Sequence, residues 1–192
     1  GKRAEFGLSG DDVVIGLVAR VQWHRRFGVL LKAARVVRER NPRVRIVVLG
    51  RGTHKEEILD RPVERMDLGE TVRPLGYHTD DYLETVAMFD AGLMLVPGSD
   101  ASCRAAMQMA AMEKPLVVAE RGVLPEIVAD GQTGIVVEDT PRNLAEAILA
   151  MAESEQERRR WGRAARERMQ EMFSLDGQIA GVLGVYEKLP GR

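Results

Sequence analysis

Hydrophobic positions along this chain alternate between short continuous runs and stretches in which they recur every three or four residues. Residues 13–19 are apolar throughout and rich in β-branched side chains, which predicts a strand buried on both faces. Residues 29–37 then carry apolar side chains at helical spacing, and Asn41-Pro42 ends that pattern. The alternation continues with a strand over 44–49, and a helical stretch over 54–68 in which Pro62 starts a new helix or kinks the old one. A strand over 71–75 leads to a helix over 79–89 capped by Thr79. Strands over 91–96 and 115–119 flank a helix over 102–112. A short helix over 124–128 and a turn at Asp130-Gly131 precede a last strand over 134–137. From Pro141, a first-turn proline, three helical segments run nearly to the end. One of them, 154–172, has Ser154 as its cap and Glu157 at the capping-box position.

Strands that are apolar on both faces, each followed by a helix, predict a parallel sheet covered on both sides. The expected fold is α/β: a single Rossmann-like, doubly wound parallel sheet of about six strands with extra C-terminal helices. One such domain accounts for residues 1–192. In these sheets ligands bind beyond the carboxyl ends of the strands, so the loops after each strand are where chemistry is to be sought.

Composition narrows the partners. The chain is 45% hydrophobic and 30% charged with a net charge of −1, so no global field draws it to nucleic acid or an anionic membrane. No apolar run approaches the ~20 residues of a membrane span. The one cysteine, Cys103, excludes an internal disulfide and fits a reducing compartment. Arg158-Arg159-Arg160 falls in a helical pattern and reads as a solvated face. Asp-x-Asp does not occur, and no histidine–cysteine set has zinc spacing, so neither metal nor cofactor is expected.

Four loops carry candidate site residues. After the first strand, Arg20 and Arg26 flank "VQWHR"; two forked donors near a helix start suit a diphosphate, or else form a basic surface turn. Trp23 packs that loop, and His24 is an exposed neighbour. After the second strand, Gly50-Arg51-Gly52 lacks the third glycine of a dinucleotide fingerprint, so Gly50 and Gly52 read as a tight turn allowing close backbone approach. Tyr77 and His78 follow the third strand, placed either against a nucleobase or as turn residues. The fourth loop, "PGSDASCRAAMQM", has small residues before a helix, so backbone N–H groups there can face an anion or a hydroxyl. Asp100 adds an acceptor for sugar hydroxyls. Cys103 has no local histidine to activate it, and Met107, Met109 and Met112 read as packing residues.

Taken together, these stretches resemble the C-terminal, donor-binding domain of retaining GT-B glycosyltransferases, the family-four-like set of glycosyl transferases group 1. The resemblance runs from residue 13 to residue 186. It rests on "GLVARVQWHRRFGVLLKAA", similar to the family's Gly-Arg-Leu…Lys-Gly…Leu-Leu-x-Ala, and on "RIVVLGRG", "VRPLGY", "LMLVPGSD" and "ARERMQEMFSLDGQIAGVLGVYEKL". The most specific string is "KPLVVAERGVLPEIVADGQTGIVVE".

What the resemblance implies is half of a GT-B fold that binds a nucleotide diphosphate-sugar. Arg20 matches the family arginine, and Arg26 falls at the lysine position with Phe27 at the following glycine. The family's Glu-x7-Glu pair falls on Asp100 and Gln108. The first acid and the backbone amides after it, here Ser102, Cys103 and Arg104, hold the donor sugar and phosphates; the second residue faces the ribose. Glu113 stands where the run Glu-Ala-Met-Ala-x-Gly ends in glycine. The implied whole protein is a hexosyl- or other glycosyltransferase acting with retention of configuration. Its N-terminal acceptor domain is absent from this chain, so the chain alone is expected to be inactive; the acceptor is unspecified. The resemblance fits a cytoplasmic place, with peripheral contact at the inner face of a membrane as one option. The alternative is a non-catalytic nucleotide or nucleotide-sugar binding module derived from such a transferase.

Overall fold

The structure, a computed structural model, describes residues 1–98 and 103–188. Six parallel strands form one sheet: β1 (Val13–Val18), β2 (Val44–Leu49), β3 (Val72–Gly76), β4 (Ala91–Met94), β5 (Leu116–Ala119) and β6 (Gly134–Val137). Their spatial order is β3-β2-β1-β4-β5-β6. The chain thus starts mid-sheet, winds outward to β3, returns to β4 beside β1, and winds out the other way. This is the doubly wound α/β arrangement that the strand pattern predicts, and it leaves a crevice where the winding reverses between β1 and β4.

Why these runs become central strands is visible in their burial. Val14, Ile15, Ile46, Val47, Val48, Leu93 and Val117 are all sealed from solvent. In register, Ile15 lies beside Ile46 and Leu17 beside both Val48 and Leu93. The helices that cover them are α1 (Lys2–Glu5), α2 (Phe27–Arg40), α3 (Arg61–Arg65), α4 (Tyr82–Ala87), α5 (Arg104–Ala111), α6 (Leu124–Ile127), α7 (Pro141–Glu153), α8 (Glu155–Met172) and α9 (Leu175–Glu187). α2 turns Phe27, Leu30, Leu31, Ala34 and Val37 inward and packs on α7, while α5 packs on α8.

Local chemistry sets the boundaries. Ser154 Oγ accepts from the Glu157 N–H, as a capping residue should, and Thr140 caps α7 in the same way through the Asn143 N–H. Pro62 opens α3 behind a π-turn over Glu56–Asp60, in which the Arg61 N–H reaches back to the Glu56 carbonyl. A proline cannot donate to the carbonyl four residues earlier, and the wider turn takes up that break. Two boundaries differ from expectation. Thr79 does not cap α4, which starts at Tyr82 after Asp81. β4 stops at Met94, because the carbonyls of Val96 and Pro97 turn toward Arg25 instead of a neighbouring strand.

The short α1 is a feature that the pattern of residues did not announce. It is held by ion pairs to distant positions: Lys2 Nζ to Asp81 at 2.7 Å and Arg3 to Asp90 at 2.8 Å. Asp90 in turn accepts from the Val14 N–H at 2.7 Å, tying α1 to the start of β1.

Candidate functional site

At the carboxyl ends of the strands, on the β1/β4 reversal, lies a cleft of about 950 Å³. Five elements build it: the loops after β1, β2 and β3, the start of α4, and the first turns of α5. Its volume is at the upper end of ordinary ligand pockets. Arg20, Gly50, Gly52, Tyr77, Arg104 and Gln108, scattered over the sequence, all line it.

The two glycines set its floor. A Cβ on Gly50 would lie 1.8 Å from the carbonyl oxygen of Ala19, and one on Gly52 would lie 1.9 Å from that of Val21. Backbone does approach closely here, and what approaches is the loop after β1. The Ala19 N–H donates to Leu49 at 3.0 Å and the Val21 N–H to Arg51 at 3.1 Å, extending the β1–β2 pairing past the strand ends. This clasp presents Arg20 from one loop and Arg51 from the other to the same space. Arg51 stacks on the ring of Tyr77, its guanidinium carbon 4.4 Å from the ring centre, and Tyr77 remains 57% exposed.

Charge in the cleft is one-sided. Arg20, Arg51 and Arg104 line it, and no carboxylate does among the described residues. Arg20 and Arg104 have no ionic partner among the described residues either. Three guanidiniums with no countercharge among the described residues, beside the start of an eight-residue helix, are chemically suited to a polyanion. Cys103 precedes that helix with a left-handed backbone (φ 42°), and its side chain is buried in the core. Asp100 and Ser102 lie outside the described residues.

Gln108 stands one helical turn beyond Arg104 on the same face of α5, and its Oε1 accepts from the Tyr82 hydroxyl at 3.1 Å. Tyr82 also lines the cleft, and burial pushes its phenol pKa up. Nothing in the sequence marked Tyr82, because its partner is remote along the chain. Met109 is fully buried beneath, with Met107 and Met112 partly so, as packing residues.

The placement of Arg26 requires a correction. It does not line the cleft. Its Nε lies 2.9 Å from Asp139 Oδ2, and its backbone is left-handed (φ 64°) at the start of α2. The arginine that turns inward is Arg25, whose guanidinium donates to the carbonyls of Val96 (3.1 Å) and Pro97 (2.6 Å) at the root of the loop leading to α5. The reason is conformational. A φ near +60° is where a glycine is at ease, so the Lys-Gly pair of the resemblance fits Arg25-Arg26 rather than Arg26-Phe27. Glu113, matched to another family glycine, is likewise left-handed (φ 60°).

His78, which also lines the cleft, is held at both nitrogens. Nδ1 lies 2.9 Å from Asp81 Oδ1, and Nε2 lies 3.1 Å from the Leu75 carbonyl. Lys2 and His78 together hold the Asp81 carboxyl down at about 2. Trp23 does not pack its loop: it is 67% exposed, its ring 6.1 Å from that of His54. Among the described residues no cluster of His, Cys, Asp and Glu could hold a metal ion, and no helix is long and apolar enough to cross a membrane.

Known proteins with similar sequences and folds are consistent in kind. The family profile described as glycosyl transferases group 1 matches residues 2–168. Spore coat protein SA of Bacillus subtilis is 24% identical over 97% of this chain and 51% of its own length. The D-inositol 3-phosphate glycosyltransferase of Streptomyces griseus is 30% identical over 96% of this chain and 41% of its own. The chain thus spans about half the length, or less, of the curated relatives it matches. Among solved structures, Anabaena HepE in complex with UDP and glucose superposes with a TM-score of 0.82 at 18% identity, over 98% of this chain and 51% of that one. The C-terminal domain of a glycosyl transferase group 1 family protein from Francisella tularensis superposes at 0.76 and 16% identity, over 90% of this chain and 91% of that one.

Proposed function

This chain belongs to the glycosyl transferases group 1 family, and from that premise we propose that it is the donor-binding half of a retaining glycosyltransferase that uses a nucleotide diphosphate-sugar. The observation that carries the reading is the cleft with Arg20, Arg51 and Arg104 and no described carboxylate, set at the strand reversal of a doubly wound sheet. A diphosphate is the part of such a donor that needs forked cationic partners. Arg20 and Arg104 hold it, Gln108 meets the ribose, and the exposed face of Tyr77 lies against the base. Arg25 fixes the backbone at Val96 and Pro97.

During transfer, the bond from the anomeric carbon to the terminal phosphate oxygen breaks and charge grows on the leaving diphosphate. Guanidiniums lining the site stabilise that charge. Supporting the assignment as one half of a whole are the match to an excised C-terminal domain and the fraction of the curated relatives that the chain spans. The N-terminal half of the same polypeptide then brings the acceptor.

Calorimetry of the chain against UDP-, GDP- and ADP-sugars, each beside its bare nucleoside, tests the reading. One nucleotide series should bind through its diphosphate, with the nucleoside at least tenfold weaker. Absence of binding by every nucleoside diphosphate would defeat it. The second reading, a non-catalytic nucleotide-binding module, is favoured by Gln108 at the position of a family acid. Sugar transfer by a polypeptide joining this chain to its N-terminal half decides between the two.

A further inference from the structure

The orientation of one amide bears on which nucleotides this cleft takes. Gln108 lies in the cleft one turn of helix from Arg104, about 5–6 Å between their Cβ atoms by helix geometry. A group held beside a diphosphate at that spacing meets the pentose attached to it. The amide there is already anchored. Tyr82 donates its phenolic proton to Oε1 at 3.1 Å, and burial keeps that phenol in its proton-bearing form. The Nε2 group of Gln108, with two N–H donors, has no partner among the described residues.

The consequence follows from what happens when a ligand lacks a hydroxyl. A site discriminates against such a ligand mainly because a polar group of its own is left stranded. A carboxylate at this position would have one oxygen stranded even with the Tyr82 hydroxyl on the other, since it can only accept and is charged. Gln108 is not stranded, because Tyr82 satisfies its carbonyl oxygen. Its N–H donors sit on a half-buried side chain that water reaches.

We propose that the Tyr82–Gln108 pair makes this site indifferent to the 2′-hydroxyl, so that 2′-deoxyribonucleoside diphosphates and their sugar conjugates bind as well as the ribonucleoside forms. The inference rests on the reading of the cleft as a nucleoside diphosphate site. It enlarges the donor class to deoxyribonucleotide-linked sugars.

The test is calorimetry of the chain with the matched pairs UDP and dUDP, GDP and dGDP, ADP and dADP. For whichever base binds best, the two dissociation constants should agree within about threefold, the scale of one weakened neutral hydrogen bond. Gln108→Glu should raise the preference for the ribonucleotide to about tenfold or more, because the carboxylate oxygen that Tyr82 does not reach is then stranded by the deoxy form. Tyr82→Phe, which removes only the anchoring hydroxyl, should move the ratio in the same direction by a smaller factor. A tenfold ribose preference in the unaltered chain overturns the inference, as does a ratio that Gln108→Glu leaves unmoved. Failure of every nucleotide to bind overturns the nucleoside diphosphate reading itself and this inference with it. That result is distinct from a nucleotide that binds with strong ribose preference.

Discussion

The Nε of Arg26 stands 2.9 Å from Oδ2 of Asp139, the same oxygen that receives Nε of Arg121 at 2.8 Å. One carboxylate thus gathers two arginines and joins the start of α2 to the loop after β6. Arg121, more than Arg26, holds the Asp139 carboxyl below its usual pKa. An arginine employed in this way is not available to a ligand.

Arg26→Ala is therefore expected to change nucleoside diphosphate affinity by less than threefold, whereas Arg20→Ala weakens it at least tenfold. A charge-assisted hydrogen bond contributes about 1.5–3 kcal/mol, and of these two residues only Arg20 lines the cleft. Calorimetry with UDP, GDP and ADP reads both, and the bare nucleosides serve as controls. Equal weakening of nucleoside and diphosphate by Arg20→Ala would mean that the residue acts structurally.

Glu113 holds a left-handed backbone at φ 60° where it gains only a 3.5 Å exposed ion pair with Arg166. Such a pair contributes little, whereas a side chain in that backbone region costs roughly 1–2 kcal/mol. Glu113→Gly is expected to stabilise the fold by about 1 kcal/mol, raising Tm by about 2–4 °C. A lowered Tm would show that the side chain supports α5 in some other way.

Gly50→Ala should act in the opposite sense. Its methyl group would meet the Ala19 carbonyl oxygen at 1.8 Å, so the loops after β1 and β2 must part. A loss of about 2–4 kcal/mol is expected in urea unfolding, with nucleotide binding falling as Arg20 and Arg51 are displaced. A change below about 0.5 kcal/mol would contradict the clasp.

Much of this was legible in the residues themselves. Continuous apolar runs such as 44–49 can only be strands buried on both faces, so the parallel sheet followed from them. Arg20, Gly50, Gly52 and Tyr77 were readable as site candidates because each follows closely on a strand, and Arg104 and Gln108 through the family resemblance of the loop and helix that carry them. What was not legible depends on three dimensions. Choosing between Arg25 and Arg26 needs the φ of Arg26, and adjacent arginines carry no local sign of which turns inward. Tyr82 acquires its role from Gln108, a partner brought near only by the fold. The four residues of α1 have no helical signal of their own and are ordered by Asp81 and Asp90.

Those contacts make α1 responsive to acid. The folded Asp81 carboxyl is lowered from 3.8 to about 2, first by the hydrogen bond from Lys2 and then by that from His78. A depressed carboxyl supports the fold fully above its unfolded pKa and loses that support as pH falls through the folded one. Docking of α1 should therefore hold at pH 5, weaken below about pH 4, and be lost toward pH 2. Carboxyl-carbon NMR would follow Asp81 directly, and Lys2→Ala should raise its midpoint toward the ordinary range. An unchanged midpoint in that variant would remove Lys2 as the cause.

The two indoles of this chain occupy opposite surroundings, and light can tell them apart. Trp23 is 67% exposed on the loop whose neighbour Gln22 lines the cleft, whereas the indole nitrogen of Trp161 is buried against the core. Excited together, the first emits as a water-bathed fluorophore at longer wavelength and the second as a shielded one at shorter wavelength. A solute quencher such as iodide reaches the red component first. The protein therefore reports the surroundings of its β1 loop through its own emission, with Trp161 as the internal standard.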